Sequence, residues 1–188
     1  PKSMLRKETS DFEEFVKGSF REVIDDPRFD GSVAGGKGAD PKKVETVVLC
    51  SGKLYWELAE RRDELAKNST AIVRIEQFYP LHSELLKSIL DRYPKNAKKI
   101  WVQEEPRNMG GYLFIRDMVQ SALGLDLGYI GRPASASPAV GSKHMHKYEQ
   151  EDIIEEAIGK ALPKHAPGTQ PETKPAKAGK PDAVPTKR

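Results

Sequence analysis

The 188-residue chain holds one cysteine, no long apolar run and almost no net charge, and each lack removes a class of protein. With Cys50 alone there is no intrachain disulfide and no multi-cysteine zinc site. Cys50 closes the apolar run VETVVLC, where a reduced core thiol is the natural reading. A nucleophile would need a positioned base, and none stands near it in sequence. No stretch reaches the about 18 apolar residues of a membrane span. The opening PKSMLRKETS lacks the apolar core of a signal peptide and does not begin with Met. These features read as a soluble cytoplasmic segment, the C-terminal part of something longer. The 31 basic and 28 acidic residues leave only +3. Residues 163–188 hold six of the basic residues against Glu172 and Asp182, so residues 1–162 are close to neutral. A nucleic-acid-binding surface is therefore disfavoured.

Three segments organise the chain. Residues 1–43 form a lead-in: Phe12, Phe15, Val16, Phe20, Val23 and Ile24 suit packing against a neighbour, and Asp-Asp-Pro and the Gly-rich GSVAGGKGAD interrupt regular structure. Residues 44–162 alternate between strand and helix patterns. Strands are expected at 44–50, 70–78, 99–103 and 127–131, where short β-branched and aromatic runs lie between turn signals. A helix follows Ser51-Gly52, with Ser51 as its cap and Leu54, Tyr55, Leu58, Arg62 and Leu65 on one face. Further helices are expected at 81–93 (Leu85, Leu86, Ile89 and Leu90 inward), at 112–123, and at 149–162 with Ile153, Ile154, Ala157, Ile158 and Ala161 inward. Such alternation predicts a largely parallel sheet covered on both faces. Residues 163–188 carry six of the fourteen prolines and too little apolar surface to offset chain entropy, so a disordered tail is expected.

Polar residues cluster after the expected strands, where α/β folds place ligands and partners. GSVAGGKG at 31–38 approaches a phosphate-binding loop but has Gly38 where a magnesium-binding hydroxyl is needed, and no buried strand precedes it. The turn at Ser51 and Lys53 offers free N–H groups to a carboxylate or phosphate, or is simply a capped turn. Glu104 and Glu105 follow a buried strand; they read as an interface-shaping loop more readily than as an acid–base pair, with Arg107 or the next helix start as their partners. Arg132 and His146 lie in a Ser/Ala/Pro loop and read equally as partner or anion contacts and as solvated residues. His144 and His146 lack a nearby third ligand for a metal. No Gly-x-Ser-x-Gly elbow supports a hydrolase.

VRIEQFYPLH, then IWVQEEPRNMGGY, then GRPASASPAVGSKHMHKYEQEDIIEEA, together with PKSMLR, GSFREVIDD and VVLCSGKLYWEL, resemble the C-terminal end of the thiamine-diphosphate-dependent first component of the 2-oxoglutarate dehydrogenase complex. The likeness covers residues 1–159, apart from the Gly-rich insertion. It implies a transketolase-like third domain, a three-layer α/β/α sandwich with a mostly parallel sheet. The implied whole enzyme decarboxylates 2-oxoglutarate on thiamine diphosphate and magnesium and passes the succinyl unit to a lipoyl group on the succinyltransferase component. A homodimer is implied too. The cofactor motifs of that family belong to upstream domains, and no Gly-Asp-Gly occurs here. The resemblance therefore implies a structural and dimerising domain, inactive alone, that braces the upstream domains, without nucleic acid or membrane as partner. Relatives acting on 2-oxoadipate stay open. Some members bind nucleotide effectors near this domain, and Lys2, Arg6, Lys53 and Arg107 are candidate contacts. The competing reading is a free-standing nucleotide or acyl-CoA binding regulatory module.

Overall fold

The computed structural model describes residues 4–6, 9, 12–29 and 39–162. A short helix α1 (Phe12–Lys17) and a two-residue strand β1 (Val23–Ile24) precede the alternating body. The body runs β2 (Thr46–Cys50), α2 (Leu54–Glu64), β3 (Thr70–Ile75), α3 (Ser83–Leu90), β4 (Lys98–Pro106), α4 (Tyr112–Leu123), β5 (Gly128–Arg132) and α5 (Lys143–Ala157). The sheet order is β1-β3-β2-β4-β5, with β1 antiparallel to β3 and every other pairing parallel.

Strand alternation sends side chains to both faces, so each strand needs apolar residues on both. Val47 and Leu49 of β2, with Ala71, Val73 and Ile75 of β3, meet Leu86 and Ile89 of α3 and Ile115 and Val119 of α4. Val48 and Cys50 of β2, with Ile72 of β3 and Val102 of β4, meet Leu58 of α2 and Ile153 and Ile154 of α5. The result is the expected α/β/α sandwich, with α3 and α4 on one face and α2 and α5 on the other. Trp101, 1% exposed, takes Phe78 edge-on at 5.8 Å.

The four expected strands and helices are present, with shifted limits. β3 stops at Ile75 because Glu76 and Gln77 both donate their N–H groups to Glu22 O, at 2.8 and 3.1 Å. β4 runs past the expected 103 to Pro106, across a register shift that pairs Pro106 with Arg132 of β5. α5 starts at Lys143, not 149, because Ser142 accepts from Met145 N and caps it. It ends at Ala157, leaving Ala161 exposed and outside the helix. Ser51 does not cap α2, whose N-cap position is Lys53 in helical conformation with no side-chain cap bond. The stretches 31–38 and 163–188 lie outside the described residues.

The lead-in contributes more than expected, since Val23 and Phe29 are buried in the sheet core. Asp26, fully buried, pairs with Arg62, which is 2% exposed. The same carboxylate accepts from Ile72 N at 2.8 Å and Arg28 N at 3.1 Å. Arg62, placed on the apolar face of its helix by spacing alone, is thus buried as an ion-pair partner. Asp25 accepts from Tyr93 Oη at 2.5 Å and from Arg92 Nη1 at 2.7 Å. Burial pushes both carboxyls above the usual range: Tyr93, the Asp26 N–H and Arg92 pull Asp25 back, and Arg62 with the Ile72 and Arg28 N–H groups pulls Asp26 back. Removing one member of a buried pair leaves the other charge unpaired, at a cost of about 3–5 kcal/mol, whereas an apolar replacement of both is far milder. Asp26→Ala is therefore expected to lower stability by that amount in urea unfolding, and Asp26→Ala with Arg62→Leu to recover most of it. A double variant no better than the single one sinks this account.

Candidate functional site

The strand order reverses between β2 and β4: the chain leaves β2 for β3 on one side and returns from β3 to β4 on the other. α2 and α4, which follow these two strands, lie on opposite faces. A crevice beyond the strand C-termini at such a point is the usual ligand position in open α/β sheets. Lys53 stands there, one turn past β2, and Glu104 stands opposite on β4.

The two close the crevice. Lys53 Nζ lies 2.5 Å from Glu104 Oε1 and 2.9 Å from Glu57 Oε1. Gln150 of α5 donates to Glu57 Oε2 at 2.8 Å, while its own Oε1 is buried without a hydrogen-bond donor among the described residues. Burial opposes the Lys53 charge, but hydrogen bonds to Glu104 and Glu57 outweigh it and raise the ammonium above its ordinary pKa. The expected anion-receptive turn is thus neutralised by the protein's own carboxylates. Gly52 supports the arrangement with φ +62, and its N–H donates to Glu76 Oε1 at 3.4 Å. Glu76 also takes Arg74 Nε at 2.8 Å, and the Arg74 guanidinium lies 4.7 Å over the Tyr55 ring and 5.8 Å over Trp56.

Past β4 the turn is organised by Gln103. Its Oε1 accepts from Trp101 Nε1 at 2.8 Å and Tyr112 N at 2.9 Å; its Nε2 donates to Met109 O at 2.7 Å and Pro106 O at 3.1 Å. Gln103, rather than Glu104 or Glu105, supplies the acceptor at the start of α4. Gly110, at φ +67, allows the close approach, since a Cβ there would lie 2.9 Å from Gln103 Oε1. Glu105 is exposed, and its carbonyl accepts from Tyr129 Oη at 3.1 Å. Arg107 is exposed over the Tyr112 and Tyr129 rings at 5.7 and 5.6 Å, and its N–H donates to Arg132 O at 3.0 Å.

Arg132 is 8% exposed at the end of β5. Its Nη2 lies 2.8 Å from His146 Nδ1, where the guanidinium can only donate and the ring nitrogen accepts. Its Nε lies 2.8 Å from Glu149 Oε2 as a charge contact whose angle falls short of a hydrogen bond. His146 sits in the first turn of α5, not in a loop. Ser51 is half-buried; Arg6 is exposed in the short stretch 4–6; Lys2 lies outside the described residues. The sequence reading thus named both ends of the Lys53–Glu104 and Arg132–His146 contacts without pairing them. It passed over Gln103, Glu57, Arg74, Glu76 and Gln150. Glu57 had a signal, four residues after Lys53 on a helix. Gln103 had another: it shares the Trp101 face of a buried strand, an inward polar residue that needs partners.

The donors here do not fit a diphosphate–magnesium group. Lys53, Arg74 and Arg132 are each already paired with carboxylates.

Two measurements check this picture. Lys53→Met leaves Glu57 and Glu104 facing each other half-buried and is expected to cost about 1–3 kcal/mol at neutral pH. Because the folded-state pKa of Lys53 is raised, its contribution is complete below 10.5 and fades above it, so the gap between the proteins should narrow there. A pH-independent gap refutes the pairing. Cys50 is the second probe: burial pushes its thiol up from 9.0 to about 12. It is expected to ignore thiol reagents in the native protein. Between those pH values the folded state keeps the proton and the unfolded state loses it, so stability relative to Cys50→Ala falls by about 1.4 kcal/mol per pH unit. Rapid native labelling contradicts the buried position.

Residues 9–158 match the family model for the 2-oxoglutarate dehydrogenase C-terminal region. The 2-oxoglutarate dehydrogenase E1 component of Geobacillus kaustophilus is 42% identical over 165 residues, covering 85% of this chain and 16% of the relative. That of Cupriavidus necator is 37% identical over 164 residues, with the same coverage of 85% and 16%. A multifunctional 2-oxoglutarate metabolism enzyme from Mycobacterium sp. is 39% identical over 164 residues, 84% of this chain and 12% of the relative. The chain thus spans only 12 to 16% of the length of these relatives. A solved split-gene transketolase, described as an inactive β4 tetramer, overlaps at TM-score 0.44 and 14% identity, over 62% of this chain and 39% of that one. The family match runs from ahead of α1 through the end of α5, and the chain belongs to the 2-oxoglutarate dehydrogenase C-terminal family.

Proposed function

We propose that this chain is the structural and dimerising C-terminal domain of a cytoplasmic 2-oxoglutarate dehydrogenase first component, and that it braces the catalytic domains without carrying the chemistry. The complete enzyme, in this reading, oxidatively decarboxylates 2-oxoglutarate with thiamine diphosphate and magnesium in the citric acid cycle. It then hands the succinyl unit to the lipoyl group of the succinyltransferase component, and works as a homodimer. The observation that carries the reading is the crevice between β2 and β4. Lys53, Glu57 and Glu104 fill it with one ion-paired cluster, so the position where an α/β sheet would hold a cofactor is closed by the domain itself. The cofactor then belongs to the remainder of the polypeptide, whose relatives are far longer than this chain.

A second reading has its own observation. A cleft of about 970 Å³ opens between α1 and the ends of β1 and β3, lined by Lys17, Arg21, Tyr55, Trp56 and Arg74 among others. Its size and its Tyr55, Trp56 and Phe20 rings suit the base of a nucleotide or acyl-CoA effector, whose phosphates would have to displace Glu13, Glu14 and Glu76 from Lys17, Arg21 and Arg74.

Steady-state assays of the polypeptide from the complete reading frame separate these readings. Turnover of 2-oxoglutarate that depends on thiamine diphosphate is expected from the complete protein and absent from the 188 residues alone. 2-Oxoadipate run in parallel fixes the substrate. Turnover by the 188 residues alone, or none by the complete protein with any oxo acid, refutes the proposal. Calorimetric titration of nucleotides and acetyl-CoA, with Arg74→Ala as control, decides the effector reading: heat lost in the variant supports it, and no heat removes it.

A further inference from the structure

α1 buries none of its residues. Phe12, Phe15 and Val16, at the i, i+3, i+4 spacing of one helical face, are 75, 78 and 60% exposed, and Phe20 just beyond is 67% exposed. Four large apolar side chains crowded into nine residues are not scattered surface hydrophobics; a contiguous patch of this kind marks a contact. The helix is positioned without them. Arg21 pairs with Glu14 at 2.5 Å, Gly18 N donates to Glu14 O at 3.1 Å, and a cleft whose α1 wall includes Phe15 and Phe20 separates the helix from Trp56 and Arg74, with Phe12 and Val16 outside it. The Asp25 and Asp26 anchors fix the chain only a few residues later. α1 is thus held out from the sheet on a short, firmly rooted arm.

Area and position identify the occupant. The patch offers on the order of 500 Å² of apolar surface, since a buried aromatic side chain covers roughly 150–250 Å². A stable dimer needs about 800 Å² from each partner, so a second copy seated on this face alone would not hold. A domain on the same polypeptide needs less, because the tether replaces the cost of bringing two molecules together. Interfaces between domains of one chain bury about 600–1,500 Å² in total, which this patch can supply half of. The relatives carry most of their length outside the matched region, and that region is their C-terminal part. The adjoining sequence therefore lies ahead of α1.

We propose that the Phe12–Phe15–Val16 face of α1, with Phe20, is the docking surface for the domain that precedes it in the same polypeptide. This rests on the reading of the chain as the C-terminal domain of a longer first component. The prediction is tested in the complete polypeptide carrying Phe15→p-benzoylphenylalanine, with Phe12→p-benzoylphenylalanine as a second position in case one probe points away. Equal amounts of ¹⁵N-labelled and unlabelled copies are mixed, allowed to exchange subunits, irradiated and read by mass spectrometry. Cross-links from α1 to residues preceding this chain, within one copy, are expected to dominate. Cross-links between labelled and unlabelled copies overturn the proposal, as do links confined to residues 39–162 or no links from either position. Turnover of 2-oxoglutarate is measured on the same preparations. A covered α1 in a protein without turnover keeps the docking and removes the activity; turnover with an uncovered α1 does the reverse.

Discussion

The Asp26–Arg62 pair decides how the β3 side of the sheet is finished. β1 is only two residues long, and its ladder reaches β3 no further than Arg74. The next outward N–H of β3, at Ile72, would be orphaned in a buried place, and the Asp26 carboxylate takes it. Arg62, from the helix that crosses over, meets the same carboxylate and fixes its direction. Next door, Asp25 binds Tyr93 and Arg92 from the far face, so two consecutive carboxylates tie the lead-in to both helical layers. Burial opposes both charges, so the gain lies less in net stability than in allowing one register and one path for the lead-in.

The strand-end edge follows the same logic with half-buried groups. Lys53 joins β2 to β4, Glu57 passes the link to Gln150, and α5 is thereby fastened to α2 beside the crevice. Further along, Arg61 meets Glu151 at 2.6 Å and Gly159 O at 3.0 Å, and Lys67 meets Ile158 O at 2.6 Å. These contacts hold the C-terminal half of the last helix and the residues just past it. Gln103 does the corresponding work on the opposite face by joining Trp101, the β4–α4 turn and the α4 N-terminus. The strand-end edge is thus braced by its own side chains.

The parts legible in the sequence were those whose signal is local. Both-faced apolar strands such as TVVLC and TAIVRI cannot be mistaken for surface, and Leu86, Ile89 and Leu90 announce a helix by spacing. β1 escaped because two residues have no period. The first two turns of α5 escaped because KHMHKYEQ has no apolar stripe there, and the cap Ser142 is one serine among several. Arg62 shows the limit of spacing: it placed the residue inward correctly and was blind to the buried charge awaiting it 36 residues upstream. The Lys53–Glu104 contact joins residues 51 apart, and only the strand order β3-β2-β4 brings them together. Site residues could be named one by one, but their pairing is a property of topology.

Where the polar groups of the edge are engaged with one another, apolar ones are left outward. Tyr79, after β3, is 79% exposed, and its ring meets Phe114 of α4 edge-on at 6.4 Å; Leu113 beside it is 41% exposed. The strand-end edge thus presents paired charges in its crevice and bare aromatic surface on its rim. That is the reverse of a small-molecule site, which sets a few unpaired polar groups inside an apolar cavity. It matches instead the anatomy of a protein contact, where exposed aromatic side chains carry the binding and satisfied ion pairs shape the surface around them. Two closed cores thus flank the sheet, while its strand-end edge keeps its charges paired and leaves Tyr79, Leu113 and Phe114 exposed on the rim.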